Sequence, residues 1–142
     1  MKKSPLDLER TPACILPASM TSYSIGEVSE QTGLSVDTLR YYERSDLLVD
    51  IGRNGSGHRY YSDADLTWLN LLVCLRSTGM PIADMLRFAK LVRQGDETIG
   101  NRLELLSLHR ESVLSNIAQM QRKLSVIDQK IEIYTGLEQE KK

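Results

Sequence analysis

Residues 35–44 have the sequence SVDTLRYYER, and this stretch decides the fold predicted for the chain. Ser35 can cap a helix with its hydroxyl group. Val36, Leu39 and Tyr42 then recur at helical spacing, so we expect them to form an apolar face packed on a core. Four other side chains can share a surface that faces solvent, namely Thr38, Arg40, Tyr41 and Arg44.

A shorter helix is predicted before this stretch. Ser24 and Glu27 have the spacing of a capping box, which predicts a helix from about residue 25 to 31. Residues 32–34 contain Gly33 and form a tight turn. A helix, a short glycine-containing turn and a second helix are typical of a helix-turn-helix unit. Taken alone, this pattern is shared by many helical hairpins.

A β-hairpin, the wing of a winged helix-turn-helix head, is predicted next. Residues 47–49 are expected to form one strand and residues 58–61 the other, around the glycine-rich loop 52–57. Ser62 and Asp65 then have the spacing of a second capping box, which predicts a helix from residue 63 to about 77. Pro81 suits the first turn of a further helix that runs to about residue 93, and a linker follows at 94–97.

The C-terminal segment has the clearest periodicity in the chain. A three-four spacing, called here the seam, selects Leu103, Leu106, Arg110, Val113, Ile117, Met120, Leu124, Ile127, Ile131 and Tyr134. All except Arg110 are apolar or aromatic, which predicts a coiled coil. One helix cannot cover its own stripe, so we expect a homodimer; packing on the same chain's head is the alternative. Arg110 is expected to set the register or to reach a carboxylate across the seam.

The predicted architecture is therefore mainly α, with a winged helix-turn-helix head and a long dimerising helix. Residues 1–22 are expected to be a tail, either a true extension or a consequence of a start upstream of Met20. The head is assigned to residues 23–94, the coiled coil to residues 100–135 and a short tail to residues 136–142.

Composition restricts the function more than it identifies it. The formal net charge is -1, and residues 23–92 hold nine acidic against seven basic side chains, so DNA contact requires a local basic face. Cys14 and Cys74 lie far apart and form no CxxC pair, which argues against a disulfide scaffold or a zinc module and suits a reducing cytoplasm. We expect no membrane span, signal peptide, metal or cofactor.

Basic and hydroxyl side chains from two elements are the candidates for binding double-stranded DNA. The predicted set is Ser24, Ser35, Thr38, Arg40, Tyr41, Arg44, Arg53, His58, Arg59 and Tyr61, with Asn54 beside them in the wing. Such groups donate to phosphate oxygens or base edges, and the helix starts at Ser24 and Ser35 suit a phosphate. The alternatives are that Tyr42 is core, that Glu43 pairs with an arginine, that His58 is only exposed loop, and that Arg40 and Arg59 form surface ion pairs.

The run from Tyr23 to Ser62 resembles the head of the MerR family. The motifs that carry the resemblance are IGEV at 25–28, TLRYYE at 38–43 and GHRYYS at 57–62, and the likeness extends over about 23–135. It implies a homodimer held by an antiparallel coiled coil on a palindrome in an over-long promoter spacer. Such activators distort the DNA so that RNA polymerase engages the promoter. The resemblance assigns DNA contacts to Arg40 and Tyr41 in the recognition helix, and to Arg59 and Tyr61 in the wing.

Cys74 is the candidate sensor. Too few residues follow Tyr134 for a drug-binding domain, and neither end of the long helix has the cysteines of metal-sensing members. Residues 74–80 and 95–98 are similar to the aldehyde-responsive AdhR/NmlR-like subgroup, which implies that Cys74 reacts with a small electrophilic inducer or is oxidised. The alternative is that Cys74 is a small buried hydrophobe. Cys14 is expected to be incidental.

Two further functions compete with a DNA-binding regulator. A coiled-coil adaptor would use the same seam and bind protein through its head, in keeping with the near-neutral charge. A cysteine enzyme needs a base beside the thiol, and the two histidines, His58 and His109, are remote from Cys74 in sequence. We therefore expect no enzymatic activity.

Overall fold

The computed structural model describes residues 22–48, 52–53 and 59–141. These residues form a helical head with a small sheet and one long C-terminal helix, which confirms the predicted fold class. They divide into two compact units, one ending at Leu105 and the other beginning at Leu106. In none of the described helices is there a stretch long and apolar enough to cross a membrane.

Two short helices form the predicted helix-turn-helix unit. Helix α1 spans Ile25–Thr32 and helix α2 spans Val36–Arg44. The Ser24 hydroxyl accepts from the Glu27 amide at 3.2 Å, and the Glu27 carboxylate accepts in return from the Ser24 amide, so the capping box is confirmed. Gly33 ends α1 with φ 76°, a left-handed conformation that glycine adopts without steric cost.

A three-stranded antiparallel sheet lies beside these helices in the order β1-β3-β2. Strand β1 is Tyr23–Ser24, β2 is Gly52–Arg53 and β3 is Arg59–Tyr61. The Tyr23 hydroxyl donates to Asp63 Oδ1 at 2.8 Å, which joins the sheet to the next helix and raises the pKa of Tyr23. Strand β1 was not predicted, because two residues are too few to show a strand period.

The strand predicted at 47–49 is wrong for the two residues that the structure describes. Leu47 and Leu48 lie in a turn, and their amides both donate to the carbonyl oxygen of Tyr42, at 2.9 and 3.2 Å. The buried indole of Trp68 donates to the Leu47 carbonyl at 2.8 Å. Because these bonds satisfy the backbone locally, the two leucines are buried without a sheet partner.

Helix α3 spans Asp63–Ser77 and helix α4 spans Ile82–Gln94. The predicted bounds of α3 are confirmed, and Pro81 lies one residue before α4 instead of within its first turn. Trp68 stacks on Phe88 with ring centroids 5.8 Å apart. The other fully buried side chains of these two helices are aliphatic or thioether groups, namely Leu69, Leu72 and Met85.

The predicted linker at 94–97 is mostly ordered. Gln94 still belongs to α4, and Asp96–Thr98 form a 3-10 turn after Gly95. Gly95 has φ 95° and ψ -163°, a region nearly closed to other residues. Its carbonyl oxygen accepts from the buried side chains of Thr98 at 2.8 Å and Arg102 at 3.0 Å, which ties the turn to the start of the long helix.

The long helix, α5, spans Ile99–Glu140. It begins one residue before the predicted start at 100, and it continues as far as Glu140, into the stretch expected to be a tail at 136–142. The predicted end of the helix at residue 135 is therefore too early, and Gly136 lies within α5. One glycine costs a helix only about 1 kcal/mol, less than the neighbouring turns of helix recover.

Candidate nucleic-acid interface

Helix α2 presents both of its arginines on one exposed face. Arg40, Tyr41 and Arg44 are exposed, whereas Leu39 and Tyr42 on the opposite side are buried at 0% and 3% exposure. Tyr42 is thus a core residue, and its burial raises the pKa of its hydroxyl, so the group stays neutral at physiological pH. The buried pair anchors the helix while the arginines point to solvent.

An acidic residue shares this face and was not identified from the sequence. Asp37 is exposed and precedes Arg40 and Tyr41 by three and four residues, so the three side chains are neighbours on the helix surface. The helical spacing that grouped the arginines would have found it. A carboxylate can accept a hydrogen bond from the amino group of cytosine, so Asp37 adds an acceptor to a surface of donors.

The two predicted phosphate-binding helix starts differ. At Ser24 the Glu27 carboxylate lies against the cap and accepts from the serine hydroxyl at 3.1 Å, so a negative group already occupies the helix start. At Ser35 the cap accepts from the Thr38 amide at 3.1 Å, and the two hydroxyls are 2.8 Å apart. The Thr38 side chain is also half-buried. Ser35 therefore offers a phosphate the less hindered start.

The turn after α2 connects the end of this helix, and with it the exposed face that carries Arg40, Tyr41 and Arg44, to the rest of the head. Asp46 adopts φ 64°, a left-handed conformation that lets the chain reverse directly after the helix. The Arg93 guanidinium of α4 donates to the carbonyl oxygen of Asp46. Together with the bond from Trp68, this contact connects the end of α2 to both α3 and α4.

In the wing, the structure defines the backbone pairing of two of the residues predicted to bind DNA. Arg53 and Arg59 are paired across β2 and β3, next to the pair Gly52 and Tyr60. The prediction for His58, and for Asn54 beside it, lies outside the described residues. The two wing arginines thus stand directly opposite each other at the base of the predicted loop.

Tyr61 is not available for the DNA contact predicted for it. Its side chain is 0% exposed, and it lies on the middle strand of the sheet, paired with Tyr23 of β1. Tyr60, the preceding residue, is 42% exposed. Successive side chains of a strand point to opposite faces of the sheet. The resemblance therefore assigned the DNA contact to the tyrosine whose side chain faces the core.

Cys74 lies on the surface of α3 as a free thiol. The interpretation that it is a small buried hydrophobe is therefore wrong for this head. The hydroxyls of Ser77 and Thr78 donate to the Cys74 carbonyl oxygen at 3.1 and 2.7 Å, closing the end of the helix around it. Arg76 donates to the Met80 carbonyl oxygen at 3.3 Å.

The seam of α5 is exposed along most of its length in a single chain. Met120, Ile127 and Tyr134 are exposed by 66%, 56% and 59%. Leu106 and Val113 are half-buried. Arg110 is exposed by 72% and has one ion pair described, at 3.6 Å from Nη1 to the equally exposed Glu111 Oε1. The sequence pattern therefore corresponds to a real apolar stripe on one continuous helix.

Comparison with known proteins places this geometry in a family. Residues 23–89 match the model of the MerR HTH family of regulatory proteins. An uncharacterised HTH-type transcriptional regulator of Haemophilus influenzae is 39% identical over 113 residues, which is 80% of this chain and 84% of that protein. The HTH-type transcriptional regulator AdhR of Bacillus subtilis is 34% identical over 64% of this chain and 65% of its own length.

A solved structure is similar over both the head and the long helix. It is the crystal structure of HiNmlR, described as a MerR family regulator lacking the sensor domain and bound to promoter DNA. It is 38% identical and superposes with a TM-score of 0.75 over 81% of this chain and 91% of that one. On its helix-turn-helix head, its long helix and these similarities, the chain belongs to the MerR family of DNA-binding transcriptional regulators.

Proposed function

We propose that the chain is a homodimer that binds a palindromic operator in promoter DNA and activates transcription by distorting the promoter spacer. The observation that carries the proposal is the exposed face of α2, where Arg40, Tyr41 and Arg44 stand together above a buried anchor. An exposed helix face of this size fits the major groove. HiNmlR, with the same fold, was crystallised on promoter DNA.

The local charge on this face supports DNA as the ligand. On the exposed face of α2 Arg40 and Arg44 stand beside Asp37, while Glu43, the other acidic residue of the helix, is half-buried. The fully exposed charges are therefore mostly positive, although the head as a whole is acidic. Arginine donates to phosphate oxygens and also bidentately to guanine. The Tyr41 ring, 44% exposed, brings a hydroxyl to the same surface. A surface that makes only a small number of such contacts is suited to indirect readout, in which specificity comes from deforming the duplex.

The seam of α5 is the surface through which we expect a second copy of the chain to bind. An apolar stripe that runs the length of a solvated helix is stabilised when a matching stripe covers it. A twofold dimer then presents two recognition helices to the two halves of a palindrome. Distortion of the spacer between the half-sites is the step that would let RNA polymerase engage the promoter.

Replacing Arg40 with alanine tests the DNA-binding surface. We expect Arg40→Ala to weaken operator binding about tenfold or more, since one arginine contact is worth about 1–3 kcal/mol. If the contact is to phosphate, the slope of log K against log salt also becomes shallower by about one per half-site. Fluorescence anisotropy with a labelled duplex, measured at several salt concentrations, gives both values.

Arg122→Ala is the matched control, because Arg122 is an exposed arginine of α5 that lies off the seam. It should bind with the affinity and salt slope of the unmodified protein. If Arg40→Ala is also unchanged, the face of α2 does not contact DNA. If the unmodified protein shows no saturable duplex binding, the adaptor function is the correct one.

The proposed inducer signal is a reactive aldehyde that meets the exposed thiol of Cys74. The thiolate adds to the carbonyl carbon, and the aldehyde oxygen takes up a proton to give a hemithioacetal. The addition needs an accessible thiol and no further cofactor. The resemblance of residues 74–80 and 95–98 to the aldehyde-responsive subgroup, together with the exposure of this thiol, is what motivates the assignment.

Cys74→Ser should retain operator binding and lose aldehyde-dependent activation. In vitro transcription from an operator-containing promoter, with and without formaldehyde or acetaldehyde, measures the response. Cys14→Ser is the control and should respond fully. An undiminished response in Cys74→Ser would exclude this thiol as the sensor.

A further inference from the structure

Arg110 interrupts the otherwise apolar seam at its third position. Within its own chain it pairs with Glu111 across 3.6 Å, and both side chains are 72% exposed. An ion pair so exposed contributes little to stability. In a homodimer, however, Arg110 would enter the helix interface, where a charge is costly without a carboxylate from the partner. The inference below therefore rests on the homodimer proposed above.

The orientation of two copies decides what Arg110 meets. In a parallel, in-register pair each seam residue faces its own counterpart, so the two copies of Arg110 would meet at one layer of the interface. Two guanidinium groups at that layer repel each other. In an antiparallel pair the two alternating seam positions face each other, and Arg110 meets an apolar residue of the other chain.

One antiparallel register covers the whole seam. Its twofold axis passes between Ala118 and Gln119, and each of the ten seam residues then faces another seam residue. Arg110 faces Ile127 of the partner subunit in this register. The remaining facing pairs are Leu103 with the partner's Tyr134, Leu106 with the partner's Ile131, Val113 with the partner's Leu124, and Ile117 with the partner's Met120.

Charge selects the same register independently. The residue that follows the partner's Ile127 is Asp128 of the partner subunit, at the edge of the Arg110 layer. A shift by one heptad in either direction leaves end residues of the seam uncovered. It also replaces that aspartate beside Arg110 with Gln121 of the partner subunit or with Thr135 of the partner subunit. Neither can neutralise a guanidinium.

We propose that Arg110 fixes the antiparallel register of the dimer by pairing with Asp128 of the partner subunit, twice in each dimer. The long arginine side chain keeps its methylene groups in the apolar layer while its guanidinium reaches the carboxylate at the edge. The only charged residue of the seam thus acts as a specificity determinant: it penalises parallel pairing and shifted registers.

Charge exchange tests the pair directly. Arg110→Glu places two carboxylates together at each end of the interface, and Asp128→Arg places two guanidinium groups there. Each single variant should weaken the dimer about tenfold or more, because like charges placed side by side at an interface repel each other and neither has a counter-charge. The double variant Arg110→Glu with Asp128→Arg should return to within a few-fold of the unmodified dimer.

Sedimentation equilibrium of the full chain gives the dissociation constants. Arg122→Glu, a reversal of equal size outside the seam, is the control and should leave the dimer unchanged. A double variant that is no tighter than the weaker single variant would show that Arg110 and Asp128 do not pair.

The register itself is measured by a spin label at Gln129→Cys, in a Cys14→Ser and Cys74→Ser background. Gln129 is exposed and lies off the seam. At a rise of 1.5 Å per residue, the proposed register separates the two labels by about 32 Å along the helix axis, against about 42 Å or about 21 Å for a one-heptad shift. A parallel pair would hold the labels side by side.

The outcomes separate the two proposals. A dipolar distance near 32 Å supports the register. A dimer by sedimentation with any of the other distances overturns the register and leaves the homodimer standing. A monomer without dipolar coupling overturns both.

Discussion

Ile117→Asp is expected to dissociate the dimer, raising its dissociation constant about a hundredfold or more. Ile117 lies next to the proposed twofold axis, and its side chain is 48% exposed in a single chain. In the dimer both copies would be buried, so the variant removes two apolar contacts and introduces two carboxylates with no counter-charge. Each 1.4 kcal/mol lost at the interface weakens association tenfold.

Sedimentation of the full chain at micromolar concentration measures this change. Ser115→Asp adds the same charge two residues away, at an exposed position outside the seam, and should leave the dimer intact. Operator binding should fall with dimerisation, because a monomer engages one half-site and loses the avidity of two. An Ile117→Asp variant that remains dimeric would contradict the assignment of the seam.

Tyr61→Ala is expected to cost the head about 3–5 kcal/mol of its free energy of unfolding, the usual range for a buried aromatic residue. Tyr61 is 0% exposed and lies opposite Tyr23 in the sheet register. Its removal leaves a cavity beneath the sheet that joins the wing to the helices. Urea unfolding followed by fluorescence of Trp68, the single tryptophan, measures the loss at one fixed protein concentration.

Tyr60→Ala is the matched control in the same strand. Tyr60 is 42% exposed, so we expect its removal to cost less than about 1 kcal/mol. Equal losses at the two positions would contradict the burial of Tyr61. A Tyr61→Ala variant of normal stability with weakened operator binding would restore the DNA contact first predicted for it.

The helices of the head were predictable because their start signals are local. Ser24 with Glu27 and Ser62 with Asp65 form complete capping boxes in the structure, and both were identified by spacing alone. A capping box acts over three residues, so no knowledge of the tertiary fold is needed. The predicted range of α3 agrees with the structure for the same reason.

The errors occurred where distant contacts decide the structure. The apolar run at Leu47 and Leu48 was assigned to a strand, yet its backbone is satisfied by Tyr42 and by Trp68, which lies 21 residues further along the chain. A short apolar run does not reveal such a partner. Local spacing likewise could not tell whether Tyr60 or Tyr61 faces the core.

Sequencing the DNA fragments that the purified protein selects from a random or genomic pool tests the central claim most directly. A twofold-symmetric pair of half-sites is predicted, enriched by the unmodified chain and lost with Arg40→Ala. In genomic fragments the dyad should lie between the two promoter elements. An enriched sequence without dyad symmetry, or no enrichment at all, would contradict a homodimer that reads a palindrome through α2.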